Sequence, residues 1–157
     1  MVRGAPDYTK LVRIRRPRLS ALDYTDTGSL GMGDIATIVP EQKGCGYLAF
    51  LQLTTRWVSG EASYCSPDTQ TLLIDVDGNT FELNLAELLS SLNDDIFPHA
   101  PIAVHFWDDY LAILVVIINK PIHFNASLKV RLKFEPPFPY ANIKACALYG
   151  VELWETP

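Results

Sequence analysis

Residues 127 to 134 read S-L-K-V-R-L-K-F, and this stretch constrains the fold more tightly than any other. In an extended chain Leu128, Val130, Leu132 and Phe134 fall on one side and Lys129, Arg131 and Lys133 on the other. That alternation predicts a half-buried strand with one face in a core and one in water. Strand signals recur along the chain. GYLAFLQLTTRWV, residues 46 to 58, is rich in aromatic and β-branched side chains and is bounded by Gly44, Gly46 and Gly60, so it reads as one long strand or two short ones. In TLLIDVDGNTFEL the pair Asp77-Gly78 separates two apolar runs and predicts a hairpin. PIAVHFW, YLAILVVII and ANIKACALYGVELW supply further strands. YLAILVVII lacks alternation, which predicts a strand covered on both faces, with Ala112, Leu114, Val116 and Ile118 on one and Leu111, Ile113, Val115 and Ile117 on the other.

Only LNLAELLSSLNDDI has helical spacing, through Leu85, Leu88, Leu89 and Leu92, with Asn84 as its cap. One short helix among seven to nine strands predicts an all-β fold, an antiparallel β-sandwich of jelly-roll type. At 157 residues, 48% hydrophobic and 20% charged, the chain has the length and composition of one globular domain that needs neither disulfide nor metal to fold. We therefore divide it into an extended basic arm, residues 1–20, and a single sandwich domain, residues 21–157. The longest apolar run, Tyr110 to Ile118, is far short of the roughly 20 residues of a membrane-spanning helix. The start of the sequence lacks the apolar core of a signal peptide, which points to synthesis and folding in a cytoplasm.

No pattern for catalysis or cofactor binding emerges, and we expect neither an enzyme nor a cofactor. Cys45, Cys65 and Cys146 have no C-x-x-C spacing and lie far from His99, His105 and His123. They read as reduced core cysteines rather than zinc ligands. GSLGMGD is followed by strand-like residues, so its glycines form a turn rather than a phosphate loop. Asp75 and Asp77 lack the glycine and glutamate spacing of a calcium loop, and read as solvated hairpin acids. Asp108 and Asp109 are adjacent in sequence, unlike the separated carboxyls of a glycosidase. Trp57, Trp107, Tyr110 and Trp154 offer a second reading, an aromatic face for carbohydrate.

Charge is distributed unevenly. Arg3, Lys10, Arg13, Arg15, Arg16 and Arg18 stand against Asp7 in the first eighteen residues, whereas the chain from Ser20 onward carries seven bases and seventeen acids. A basic arm thus precedes a body of net charge -10 (seven minus seventeen). The alternation Leu11, Val12, Arg13, Ile14, Arg15 suits an edge strand, and the arm lacks the interleaved aromatics used on single-stranded nucleic acid. Nucleic acid is therefore a less favoured partner than an acidic protein surface.

The start MVRGAPDYTKL, Met1 to Leu11, resembles the R-G-x-P-D-Y beginning of small β-rich virion proteins encoded by phages and prophage-like regions. The resemblance implies a structural role in a virion, as a capsid, decoration or tail-like subunit with an arm that engages another copy or another virion subunit. On the arm we expect Tyr8, Leu11, Val12, Arg13, Ile14, Arg15, Arg16 and Arg18 to make that contact. Opposite charge steers the encounter and the apolar side chains give affinity. The alternative is a carbohydrate-binding or adhesin-like sandwich module on a viral or extracellular particle.

Overall fold

The computed structural model describes residues 22–60, 66–92, 102–108, 113–118 and 120–154. Ten strands lie in two antiparallel sheets: β1 (Asp23–Leu30), β2 (Ile35–Lys43), β3 (Gly46–Ser59), β4 (Gln70–Val76), β5 (Asn79–Asn84), β6 (Ile102–Asp108), β7 (Ile113–Ile118), β8 (Ile122–Phe124), β9 (Ser127–Phe134) and β10 (Asn142–Leu153). The first sheet runs β1-β10-β3-β7-β6, with β8 also on β3, and the second runs β2-β9-β4-β5. Among the described residues a single short α-helix, α1 (Leu85–Leu92), follows β5 directly. The described residues thus form the expected all-β sandwich, with more strands than the sequence pattern resolved.

The core lies between the sheets. β9 alternates as its sequence requires: Leu128, Val130, Leu132 and Phe134 are fully buried, while Lys129, Arg131 and Lys133 line the outer face. The four buried side chains meet Leu48, Leu51 and Leu53 of β3, Ile143 and Ala145 of β10, and Leu72 and Ile74 of β4 in one cluster. Sandwiching two inner faces about 10 Å apart removes these side chains from water, each contributing roughly 1.5–3 kcal/mol.

Residues 46 to 59 form one strand, long enough to pair with β10 along its length and with both β7 and β8 on the other side. At its start the chains come so close that a β-carbon on Gly46 would collide with the Glu152 carbonyl; only glycine fits there. β7 is a central strand, held between β3 and β6. Its register sets Ile113, Val115 and Ile117 opposite Arg56, Thr54 and Gln52 of β3. Of the side chains expected to be covered on this strand, Ile117 is half-buried; Leu111 and Ala112 lie outside the described residues.

The β4–β5 hairpin forms at Asp77-Gly78, both with positive φ (51° and 84°), as a type I′ turn requires. These acids are not merely solvated. The Asp77 carboxylate accepts hydrogen bonds from the backbone N–H groups of Asn125, Ala126 and Ser127 at 2.7–3.1 Å, tying the hairpin to the β8–β9 turn. These three amides hold its carboxyl below the ordinary range. Asp75 accepts a two-pronged bond from Arg131, at 2.9 Å from both Nε and Nη2.

The cysteines also differ from expectation. Cys45 and Cys146 are free thiols but only partly buried. Cys45 sits in the β2–β3 turn, and Cys146 shares the outer face of β10 with Lys144 and Leu148, because an even offset from both puts it on the solvent side. Cys65 lies outside the described residues.

Candidate assembly surface

Every arm residue expected to bind another subunit, Tyr8, Leu11, Val12, Arg13, Ile14, Arg15, Arg16 and Arg18, lies outside the described residues. The surface available to receive an arm is described, and its four lateral edges differ.

β1 is paired with β10 on one side, and its register shifts between Asp26 and Ser29, a bulge that interrupts any further pairing. Its Asp26 is already engaged by Lys144 at 2.7 Å, with the Gly28 amide adding a second bond; both hold the Asp26 carboxyl low. β2 carries Pro40, which has no N–H to donate, and two register shifts. β6 has a shift between Val104 and Phe106, and α1 packs against it. These are the devices that keep sheet edges from pairing with other chains.

β5 carries neither bulge nor proline, although its C-terminal end meets α1 and the turn Pro67–Thr69. Its six residues pair with β4 in unbroken register from Asn79 to Asn84, and Asn79, Thr80, Phe81 and Glu82 are all exposed. Phe81 faces the core row, opposite the buried Ile74, yet remains 56% exposed. Leu83 beside it reaches the cluster. On the opposite face Thr80 donates to Asp75, and Glu82 projects next to them without a basic partner among the described residues. The body's described ion pairs are made elsewhere, by Lys43, Arg131, Lys133 and Lys144.

The end of β5 is fixed. The Asn84 side chain accepts from the Ala86 N–H at 2.9 Å, capping α1 as its sequence position implied. It also donates to the Asp68 carbonyl at 3.2 Å, which brings Asp68 of the 3-10 turn Pro67–Thr69 to the same corner. Sequence reading identified the hairpin but not this edge, because openness depends on which strand pairs where. The retrospective signal is the absence of proline, lysine and glycine within NTFELN.

Of the four aromatic residues read from sequence as a face, Trp57 and Trp154 are placed far apart. Trp57 is opposite Ile143 near one end of β10, whereas Trp154 follows its other end, a separation of roughly 35 Å at strand rise. Trp57 packs toward the core. Trp154 instead joins two residues that sequence reading did not select: its ring is 6.5 Å from Tyr47 and 6.1 Å from His123, which are 5.5 Å from each other. The Tyr47 hydroxyl donates to Glu152 at 2.8 Å, and burial together with that carboxylate raises the Tyr47 phenol. The Trp107 side chain and Tyr110 lie outside what is described.

The outer face of the larger sheet holds a shallow depression of about 160 Å³ lined by Tyr24, Gln52, Thr54, Cys146, Ala147 and Leu148. Among the described residues no three His, Cys, Asp or Glu side chains converge in a metal-binding group, and no helix is long and apolar enough to cross a membrane. No model of a known protein family matches the chain. Comparison with curated protein sequences gives no match.

Proposed function

We propose that the protein is a non-enzymatic structural subunit of a virion, a capsid, decoration or tail-like component, that self-associates through its basic arm, residues 1–20. The observation that carries the proposal is the division of charge within one chain. An arm with six bases and one acid precedes a body with seven bases and seventeen acids. Copies of such a chain are complementary to each other, arm to body, and a contact of this head-to-tail kind propagates into rings or lattices.

The strand order supports a jelly-roll reading of the sandwich. With β7 and β8 taken as one interrupted strand along β3, and β6 as an addition at the edge, β1, β10, β3 and β7 alternate with β2, β9, β4 and β5 in the manner of two Greek keys. Capsid subunits and lectins both use that architecture, so the fold is compatible with the proposal without selecting it.

A carbohydrate-binding module on such a particle is the second reading. It draws on the Tyr47, His123 and Trp154 rings and the adjacent Glu152, where rings and a carboxylate share one end of the sandwich. Isolation of particles from the producing cells followed by mass spectrometry separates the two. A structural subunit is recovered as a multi-copy particle component. Recovery only as a free monomer that binds glycans favours the second reading.

A further inference from the structure

Resting on the self-association reading, we propose that the edge of β5, unpaired among the described residues, is the acceptor for the arm: residues 11–16 of a second copy add to it as an antiparallel strand. β-Augmentation needs an unpaired, regular edge and an alternating guest. β5 is the described edge without bulge, proline or lysine.

Side-chain alternation fixes the match. Phe81 and Leu83 point to the core row, and Thr80, Glu82 and Asn84 to the outer row. In the arm, Val12, Ile14 and, at its end before Pro17, Arg16 alternate with Leu11, Arg13 and Arg15. Of the two possible faces, one extends the core row with Val12 and Ile14, covering the exposed ring of Phe81. It sets Arg13 and Arg15 beside Glu82 on the outer row, where opposite charges across strands attract. The other face puts Arg13 and Arg15 against Phe81 and Leu83 and leaves Val12 and Ile14 in water, so a one-residue slip is disfavoured. Pro17, lacking an N–H, ends the pairing.

The donor is a second copy because the arm's own chain is too short. From Arg16 to Leu22 there are six Cα steps, at most roughly 20–22 Å. β1 lies beside β2, on the far side of the sandwich from β5. A strand added outside β5 is four strand spacings of about 4.8 Å from β2 and one sheet spacing of about 10 Å from β1, roughly 22 Å in a straight line through the core. The route around the outside is longer than the chain can span.

The test compares full-length protein, the Phe81→Lys/Glu82→Lys variant and a chain lacking residues 1–18 by sedimentation velocity. Both substituted side chains are exposed, and circular dichroism with thermal melting establishes that the variant is folded. It should self-associate roughly tenfold or more weakly, and Glu82→Lys mixed with Arg13→Glu/Arg15→Glu should recover association. Isotopically distinct copies carrying Ile14→Cys and Phe81→Cys should form a mixed disulfide, mapped by mass spectrometry. Normal association of the edge variant, alongside failure of the arm-deleted chain, overturns the β5 site and leaves the arm reading standing. Normal association of the arm-deleted chain overturns both. A 14–81 disulfide within one copy of the double-cysteine chain overturns exchange between copies.

Discussion

Ile74 and Phe81 are cross-strand partners in the β4–β5 hairpin, yet Ile74 is 3% exposed and Phe81 56%. Their shared row belongs to the core, and it stops being covered one strand before the sheet ends. Replacing Phe81 with Ser should therefore cost less than the roughly 3–5 kcal/mol of emptying a core Phe, because more than half of the side chain is already in water. The same substitution should measurably weaken self-association. Urea unfolding and sedimentation on the same samples separate the two effects.

The opposite balance holds on β9. Leu132 is fully buried between the sheets, and Leu132→Ala should cost about 2–5 kcal/mol. Neighbouring Lys133 is partly exposed and pairs with Glu135 at 2.9 Å, so Lys133→Ala should cost no more than about 1 kcal/mol. Chemical denaturation of the two variants checks the contrast.

Asp75 and Arg131 form a fork whose side chains are about three-quarters buried. Burial pushes the Asp75 carboxyl up, but the hydrogen bonds from Arg131 and Thr80 outweigh it and the net shift is downward. A carboxyl depressed in the folded state stabilises the fold above its unfolded value and loses that contribution as pH falls through the folded value. Arg131→Ala should cost about 1 kcal/mol at neutral pH, and its gap to the unmodified protein should shrink on acidification, as protonation of Asp75 removes the fork's contribution from the unmodified protein as well. Arg131→Lys should recover part of it, since an ammonium cannot reproduce the fork. Melting temperature measured from pH 7 to pH 3 reads both effects.

Asp77 makes a separable contribution. Its carboxylate serves three amides of the β8–β9 turn, and Asn keeps the positive φ while giving up the charge. Asp77→Asn should melt below the unmodified protein at pH 7. The gap should close in acid, because the depressed carboxyl of Asp77 is protonated there and its charged hydrogen bonds disappear. A gap that is constant from pH 7 to pH 3 contradicts this assignment.

The sequence was most informative where one local pattern determined the outcome. Alternation in residues 127–134 placed each β9 side chain on its observed face. Asp77-Gly78 located its hairpin and Asn84 its helix cap. What sequence did not reveal depends on partners distant in the chain. Asp77 looked solvated because its amide partners are some fifty positions away. Cys146 looked like a core residue because cysteine is usually buried, whereas its face is set by the register of β10 with β1 and β3. Likewise Tyr47, His123 and Trp154 meet only because β8 and β10 flank the start of β3. The open edge of β5 is a property of sheet order, which no local pattern contains.

The central claim, that the basic arm assembles this protein, is tested most directly by sedimentation velocity of the full-length chain and of a chain lacking residues 1–18, at low and high salt. The shortened chain should remain folded and monomeric. Full-length protein should form larger species, and replacing Arg13, Arg15, Arg16 and Arg18 with glutamine should weaken them chiefly at low salt, where charge is least screened. Unchanged assembly of the shortened chain contradicts the claim. So does a full-length protein that stays monomeric while binding DNA with a steep salt dependence, which instead assigns the arm to nucleic acid.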